Sequence, residues 1–243
     1  MKRLWLLVIL MVSARVPQAV GATHYVSRGG TNNAPYLTWA DAATNIQYAL
    51  NAATNGETVL VSNATYNLSA ALTISNNITI RSYNAGSVDP DNTIINGNYP
   101  NYTNRCIYMT NTAPWLEGFT ITNGFTNGNG GGIYMTGGTV TNCIIQYNVT
   151  TNNGGGISMS GGLIAFCAIS GNSSSNGRGG VNMTGGTLSN CTISANSTTN
   201  GAGAGIYQSG GSVLSCLISC NTNVTSGMAE GGGMYLSGSS TIV

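Results

Sequence analysis

Charge is what this chain lacks most. Only 5% of its 243 residues are Asp, Glu, Lys or Arg, against about 25% in an average globular protein. Beyond residue 22 there is no lysine, and four arginines (Arg28, Arg81, Arg105, Arg178) face six carboxylates, for a net charge of −2. A basic patch able to neutralise phosphates is missing, so nucleic acid is not an expected partner. Histidine occurs once, as His24, and a metal site or a catalytic triad needs partners that converge on it. There is no Cys-x-x-Cys, which argues against zinc. From Phe125 to Val243 the only ionisable carboxylate is Glu230 and the only arginine is Arg178. The paired acids of a glycoside hydrolase have no place there. Long apolar runs are missing too. The longest, Leu4 to Val12, is far below the roughly 20 residues that span a bilayer. None of this reads as disorder, because 42% of residues are hydrophobic and the polarity comes from uncharged Asn, Ser and Thr, which suit turns and stacked strands.

The first segment has the grammar of a secretory signal. Lys2 and Arg3 precede the apolar Leu4 to Val12, and Val20-Gly21-Ala22 ends in a small residue. Residues 1–22 are expected to be a signal peptide cleaved after Ala22. The mature chain is then exported, to the extracellular space or the outer-membrane surface. Residues 23–56 are expected to form an N-terminal cap. His24 to Ser27 reads as a short strand. Trp39, Ala42, Ala43, Ile46, Ala49, Leu50 and Ala53 share one face of a helix over 39–53. Thr38 would cap that helix with Asp41 completing a capping box, and Asn55-Gly56 would stop it.

From residue 57 the helical period disappears. Short β-branched runs follow, at Thr58–Val61, Leu72–Ile74, Ile78–Arg81, Thr93–Ile95, Cys106–Met109 and Leu116–Ile121, each bounded by turn residues. Then one line recurs: GGGIYMTGGTVTNCIIQYN from Gly130, GGGISMSGGLIAFCAISGN from Gly154, RGGVNMTGGTLSNCTISAN from Arg178 and GAGIYQSGGSVLSCLISCN from Gly203, with a fifth copy starting at Gly231. Cys143, Cys167, Cys191 and Cys216 lie 24, 24 and 25 residues apart. A period this short without helical pattern predicts an all-β chain, a solenoid of stacked parallel β-coils over residues 57–243.

The columns follow from stacking. Coils about 4.8 Å apart place each inward side chain on its equivalent in the next coil. Ile133, Ile157, Val181, Ile206 and Met234 form one such column. Met135, Met159, Met183 and Leu236 form another, interrupted by Gln208. The Val140, Cys143 and Ile145 columns complete the core. The cysteines read as buried thiols, because in-register side chains point in parallel whereas a disulfide needs a dihedral near ±90°. Asn148, Asn172, Asn196 and Asn221 occupy a turn column in which asparagine tolerates a left-handed backbone and bonds the amide above. Extra residues enter only between this Asn and the next strand, along one edge.

These residues carry a resemblance. Cys-x-Ile-x-x-Asn followed by Gly-Gly-Gly-Ile resembles the repeat of the polymorphic outer-membrane proteins, with glycine for the family's alanine and cysteine mostly for its phenylalanine, which Phe119 keeps. The stretches WADAATNIQYALNAATNGETVLVSNATY, ITIRSYNAGSVDPDNTIING, NRCIYMTN and LEGFTITNG are similar to the opening coils of bacterial pectin-lyase-like β-helix proteins. The resemblance covers about Tyr25 to the end. It implies a right-handed parallel β-helix behind the N-terminal capping helix, and a class that holds polysaccharide lyases, glycoside hydrolases, adhesins and passenger domains.

Candidate chemistry divides accordingly. The resemblance to the lyases implies calcium held by carboxylates and an Arg or Lys base. Asp89 and Asp91, flanking Pro90 in a turn, are the calcium candidates, and Arg81 and Arg105 the candidate bases. Asp-Pro-Asp is equally an ordinary turn. Glu117, beside the inward Leu116, points outward and is the third catalytic candidate, a single carboxylate with no second one identifiable in the sequence. Tyr134, Tyr207 and Tyr235 share an outward column with Ser158 and Asn182 between them, a strip able to stack on a glycan. Two functions follow. One is a non-catalytic surface protein acting in adhesion or binding a polysaccharide, a cell-surface glycan or a protein. The other is a polysaccharide lyase or glycoside hydrolase. Because the last unit ends at Val243 without a polar cap, the chain is expected to be truncated, with an anchor or translocator following.

Overall fold

A computed structural model describes residues 21–242 apart from 85, 112, 225–230 and 239–240. The expected signal segment therefore lies almost wholly outside the described residues, as does Glu230. Among the described residues nearly everything regular is β, and every strand ladder is parallel. The chain winds into a parallel β-solenoid of about seven turns.

Each full coil touches four sheets. Sheet 1 runs from Thr23–Val26 through Thr58–Ser62, Thr79–Tyr83, Trp115–Glu117, Thr139–Thr141, Leu163–Ala165 and Thr187–Ser189 to Ser212–Leu214 and Thr241–Ile242. Sheet 2 stacks Ala64–Asn67, Thr93–Asn96, Thr120–Thr122, Ile144–Gln146, Ala168–Ser170, Thr192–Ser194 and Leu217–Ser219. Sheet 3 stacks Leu72–Ile74, Ile107–Met109, Ile133–Met135, Ile157–Met159, Val181–Met183, Ile206–Gln208 and Met234–Leu236. Sheet 4 is a ribbon of two-residue strands, from Phe125–Thr126 to Thr222–Asn223.

The register is the one the repeat predicts. Ile133 pairs with Ile157, Ile157 with Val181, Val181 with Ile206 and Ile206 with Met234. The inward columns are buried: Ile133, Ile157, Val181 and Ile206 are fully enclosed, as are Val140, Ile164, Leu188, Ile145, Ile169 and Ile193. Each such side chain contributes about 1.5–3 kcal/mol of burial. Gln208, which breaks the methionine column, is also buried and donates to the Gly211 carbonyl at 2.8 Å.

Three expectations need correcting. The helix is shorter than 39–53: it spans Ile46–Ala52, capped by the Asn45 side chain, which accepts from Gln47 N at 2.8 Å. Thr38 and Asp41 do bond each other, at 2.7 Å, but they close a turn. Apolar spacing alone extended the helix over Ala42 and Ala43, whose burial comes instead from packing as extended backbone, Ala43 bridging Val26. Second, Leu116–Ile121 is not one strand. It turns a corner at Gly118, φ +79°, between sheets 1 and 2.

The third correction concerns the asparagine turn. The left-handed residue is the one before each ladder asparagine: Tyr147, Gly171, Ala195 and Cys220, with φ of 55°, 64°, 54° and 56°. The asparagine itself turns inward. Its amide nitrogen donates to a carbonyl of the preceding coil, Ile121, Ile145, Ile169 and Ile193 for Asn148, Asn172, Asn196 and Asn221, at 2.9 Å each time. In Asn148, Asn172 and Asn196 it also donates to the oxygen of the next asparagine at 3.0 Å, as does the asparagine's own backbone N–H. Backbone donors at a buried corner are thus satisfied by a side chain, as burial requires.

Candidate functional site: an outer strip of tyrosine and arginine

The outer face of sheet 3 carries the column predicted from Tyr134, Tyr207 and Tyr235, and the register adds Tyr108, which pairs with Tyr134. The rings stack in two pairs. Tyr108 and Tyr134 lie 5.4 Å apart at 13°, and Tyr207 and Tyr235 lie 5.3 Å apart at 14°. In-register parallel strands bring like side chains within a ring's reach, so each pair is a product of the ladder. Between them stand Ser158 and Asn182, hydrogen-bonded to each other at 3.2 Å and buried.

Each pair carries an arginine. The Arg105 guanidinium sits 5.3 Å from the Tyr108 centroid and 5.1 Å from that of Tyr134. Arg178 sits 3.8 Å above Tyr207 and donates to the Asn153 side chain at 2.6 Å. All three distances are within cation–π range. Half-burial pulls the Arg105 pKa below the usual arginine value, an effect the two tyrosines offset. The Tyr207 phenol is held below its ordinary value by Ser237 and by Arg178. Among the described residues neither arginine makes an ion pair; the two recorded are His24–Glu57 and Arg81–Glu117. Both arginines enter from the connection leading into sheet 3. The sequence signal for Arg178 was present: it stands where the four other copies of the repeat have glycine. Tyr108 is not visible as a member of the column in the sequence because it lies 26 residues from Tyr134, off the 24-residue period.

The remaining candidates do not gather into one site. Arg81 and Glu117 are brought together, paired in neighbouring strands of sheet 1 with 2.9 Å between Nε and Oε2. Arg105 lies on sheet 3 instead, on the tyrosines. Asp89 serves its own turn: its oxygens accept from Asn84 and Asn92 side chains at 2.6 and 2.9 Å and from Asn92 N at 3.2 Å. These bonds, Asn92's foremost, hold its carboxyl below the usual range. Asp91 is exposed beside it. Among the described residues no three His, Cys, Asp or Glu side chains gather closely enough to hold a metal. Two carboxylates, one already engaged, fall short of the six to eight oxygens calcium takes, so the residues present do not fit a calcium site. His24 is buried in the cap, its ring nitrogens 2.7 Å from the Pro35 carbonyl and 3.1 Å from Glu57.

The cysteines are free thiols. Cys143, Cys167 and Cys191 are buried and donate to carbonyls within their own corner, Thr141, Ala165 and Ser189, at 3.2–3.3 Å. Contacts with Cys143 and Cys191, and then burial, raise the Cys167 thiol well above its ordinary value. Burial pushes Cys106 up to about 12. Cys106 and Cys167 are therefore core thiols, not nucleophiles. A hydroxyl ladder not foreseen in the sequence runs beneath the sheet 4 edge: Thr150, Ser174 and Thr198 are buried and donate to the carbonyls of Gly128, Asn152 and Gly177.

No protein-family model, curated protein or solved structure matches this chain. No helix among the described residues is long and apolar enough to cross a membrane.

Proposed function

We propose that this chain is an exported or cell-surface β-helix, without catalysis of its own, that binds a polysaccharide or cell-surface glycan in adhesion. The observation that carries the reading is the strip on sheet 3. Four outward tyrosines on a rigid ladder, each pair with an arginine against it, offer apolar rings and polar rims together. Sugars present the complementary surface, with C–H patches for the rings and hydroxyls for the rims. The signal-like start and the resemblance to polymorphic outer-membrane and pectin-lyase-like proteins support surface display. Partition onto a panel of insoluble polysaccharides tests it. The Tyr134→Ala/Tyr207→Ala double variant, folded by circular dichroism, is expected to lose retention. Retention of that variant equal to the parent would sink the reading.

A lyase or hydrolase draws on one observation, the Arg81–Glu117 pair on the outer face of sheet 1 beside the exposed Trp115. Incubation with acidic polysaccharides, with and without calcium, separates the two. New unsaturated or reducing ends, lost in Glu117→Gln, would establish the enzyme.

A further inference from the structure

We infer that the strip takes a linear polyanionic glycan, carboxylated or sulfated, lying along the solenoid axis and reaching both arginine–tyrosine clusters at once; this rests on the glycan-binding reading above. The described part of the chain has four arginines: Arg81 pairs with Glu117, Arg28 donates to the Thr65 carbonyl at 2.8 Å, and Arg178 gives one N–H to the Asn153 side chain at 2.6 Å. Arg105 and Arg178 both stand on sheet 3, neither facing a carboxylate among the described residues.

The surroundings sharpen this. The outward residues of sheet 3 are Thr73, Tyr108, Tyr134, Ser158, Asn182, Tyr207 and Tyr235, with no acid among them. Arg105 is half-buried, and its guanidinium has no recorded hydrogen-bond acceptor among the described residues. A guanidinium stacked on rings presents its N–H edge outward, the geometry that takes carboxylate or sulfate oxygens in pairs. Partial exclusion of water makes each such contact stronger than an exposed pair.

Spacing sets the ligand's shape. From Tyr134 to Tyr207 is three coils by register, about 14 Å at roughly 4.8 Å per coil. One small anion occupies one cluster. A chain carrying anionic groups along its length reaches both, and the second contact becomes intramolecular.

The test uses the purified protein and probe pairs that differ in charge alone: polygalacturonate against its full methyl ester, and dextran sulfate against dextran. The charged member of each pair is expected to bind at least about tenfold more tightly, with affinity falling as salt rises. An octagalacturonate should outbind the digalacturonate by more than its extra sites explain. Arg105→Gln and Arg178→Gln should each weaken binding about tenfold, and the double variant should abolish it, while Arg28→Gln binds as the parent does. Equal binding of charged and neutral probes would overturn the inference and leave the glycan reading standing. Binding of no probe would remove both. Single-stranded DNA bound as tightly as the glycans, or Arg28→Gln as damaging as Arg105→Gln, would likewise overturn it. Thermal melts of each variant separate a lost contact from a lost fold.

Discussion

A single asparagine in this molecule does the work of several backbone bonds. Asn172 is fully buried, donates to Ile145 O and to Asn196, and accepts from the backbone and side chain of Asn148. Asn172→Ala strips these and leaves buried donors without acceptors. At about 1–3 kcal/mol for each such group, the loss should reach about 3 kcal/mol or more in urea unfolding. Ala195, at φ 54°, runs the other way. Ala195→Gly relieves a left-handed residue at some cost in chain entropy, so a gain of roughly 0.5 kcal/mol is expected in the same assay. Thiol reactivity divides by burial. Exposed Cys220 should be modified at once by a thiol reagent at neutral pH, and Cys106, Cys143 and Cys167 only when the protein is denatured. The ladder asparagines were legible as a column, and so was their stacking. Their backbone was not: sequence preference places the left-handed turn on asparagine, whereas the geometry spends asparagine on its amide and strains its neighbour.

At the scale of elements, the coil-to-coil approach explains the glycines. A Cβ on Gly155 would collide with the Ser173 carbonyl, whereas one on Gly29 meets nothing within 4 Å. Gly155→Ala should cost about 1–3 kcal/mol and Gly29→Ala close to nothing. The cap is tied by Glu57, which accepts from Thr54 N at 2.6 Å and faces His24. The Thr54 amide first, then His24, hold its carboxyl below the ordinary glutamate value. A lowered carboxylate contributes stability above its unfolded pKa and loses it as pH falls through the folded one. Parent and Glu57→Gln should therefore differ most near neutral pH and converge in acid, as read by unfolding midpoints across pH. The strands and the core columns were readable in advance because identical coils repeat the evidence. The helix start was not, because Ala42 and Ala43 satisfy a helical face and an extended packed segment equally well. The strip was half legible. Its tyrosines follow from alternation, but Arg105 and Arg178 reach it from connecting loops, where periodicity says nothing about direction.

For the whole molecule the coil is the unit. Each touches only its neighbours, and the interval from the first sheet 3 residue to the ladder asparagine is 15 residues in Ile133–Asn148, Ile157–Asn172, Val181–Asn196 and Ile206–Asn221. Deleting residues 154–177 removes one coil and lets Asn148 meet Asn196. The shortened protein should fold cooperatively and be about 4.8 Å shorter by solution scattering.

The left-handed corners have a further consequence. Asn142, Phe166, Asn190 and Ser215 precede the cysteines as Tyr147, Gly171, Ala195 and Cys220 precede the asparagines, all at positive φ and nearly all exposed. What is common to each row is a backbone shape; the side chains differ freely. The solenoid therefore carries two parallel rails of positions, spaced at the coil pitch, whose chemistry can be rewritten one residue at a time while the interior stays the same. Selection acting on such rails changes what the surface presents without having to solve the folding problem again.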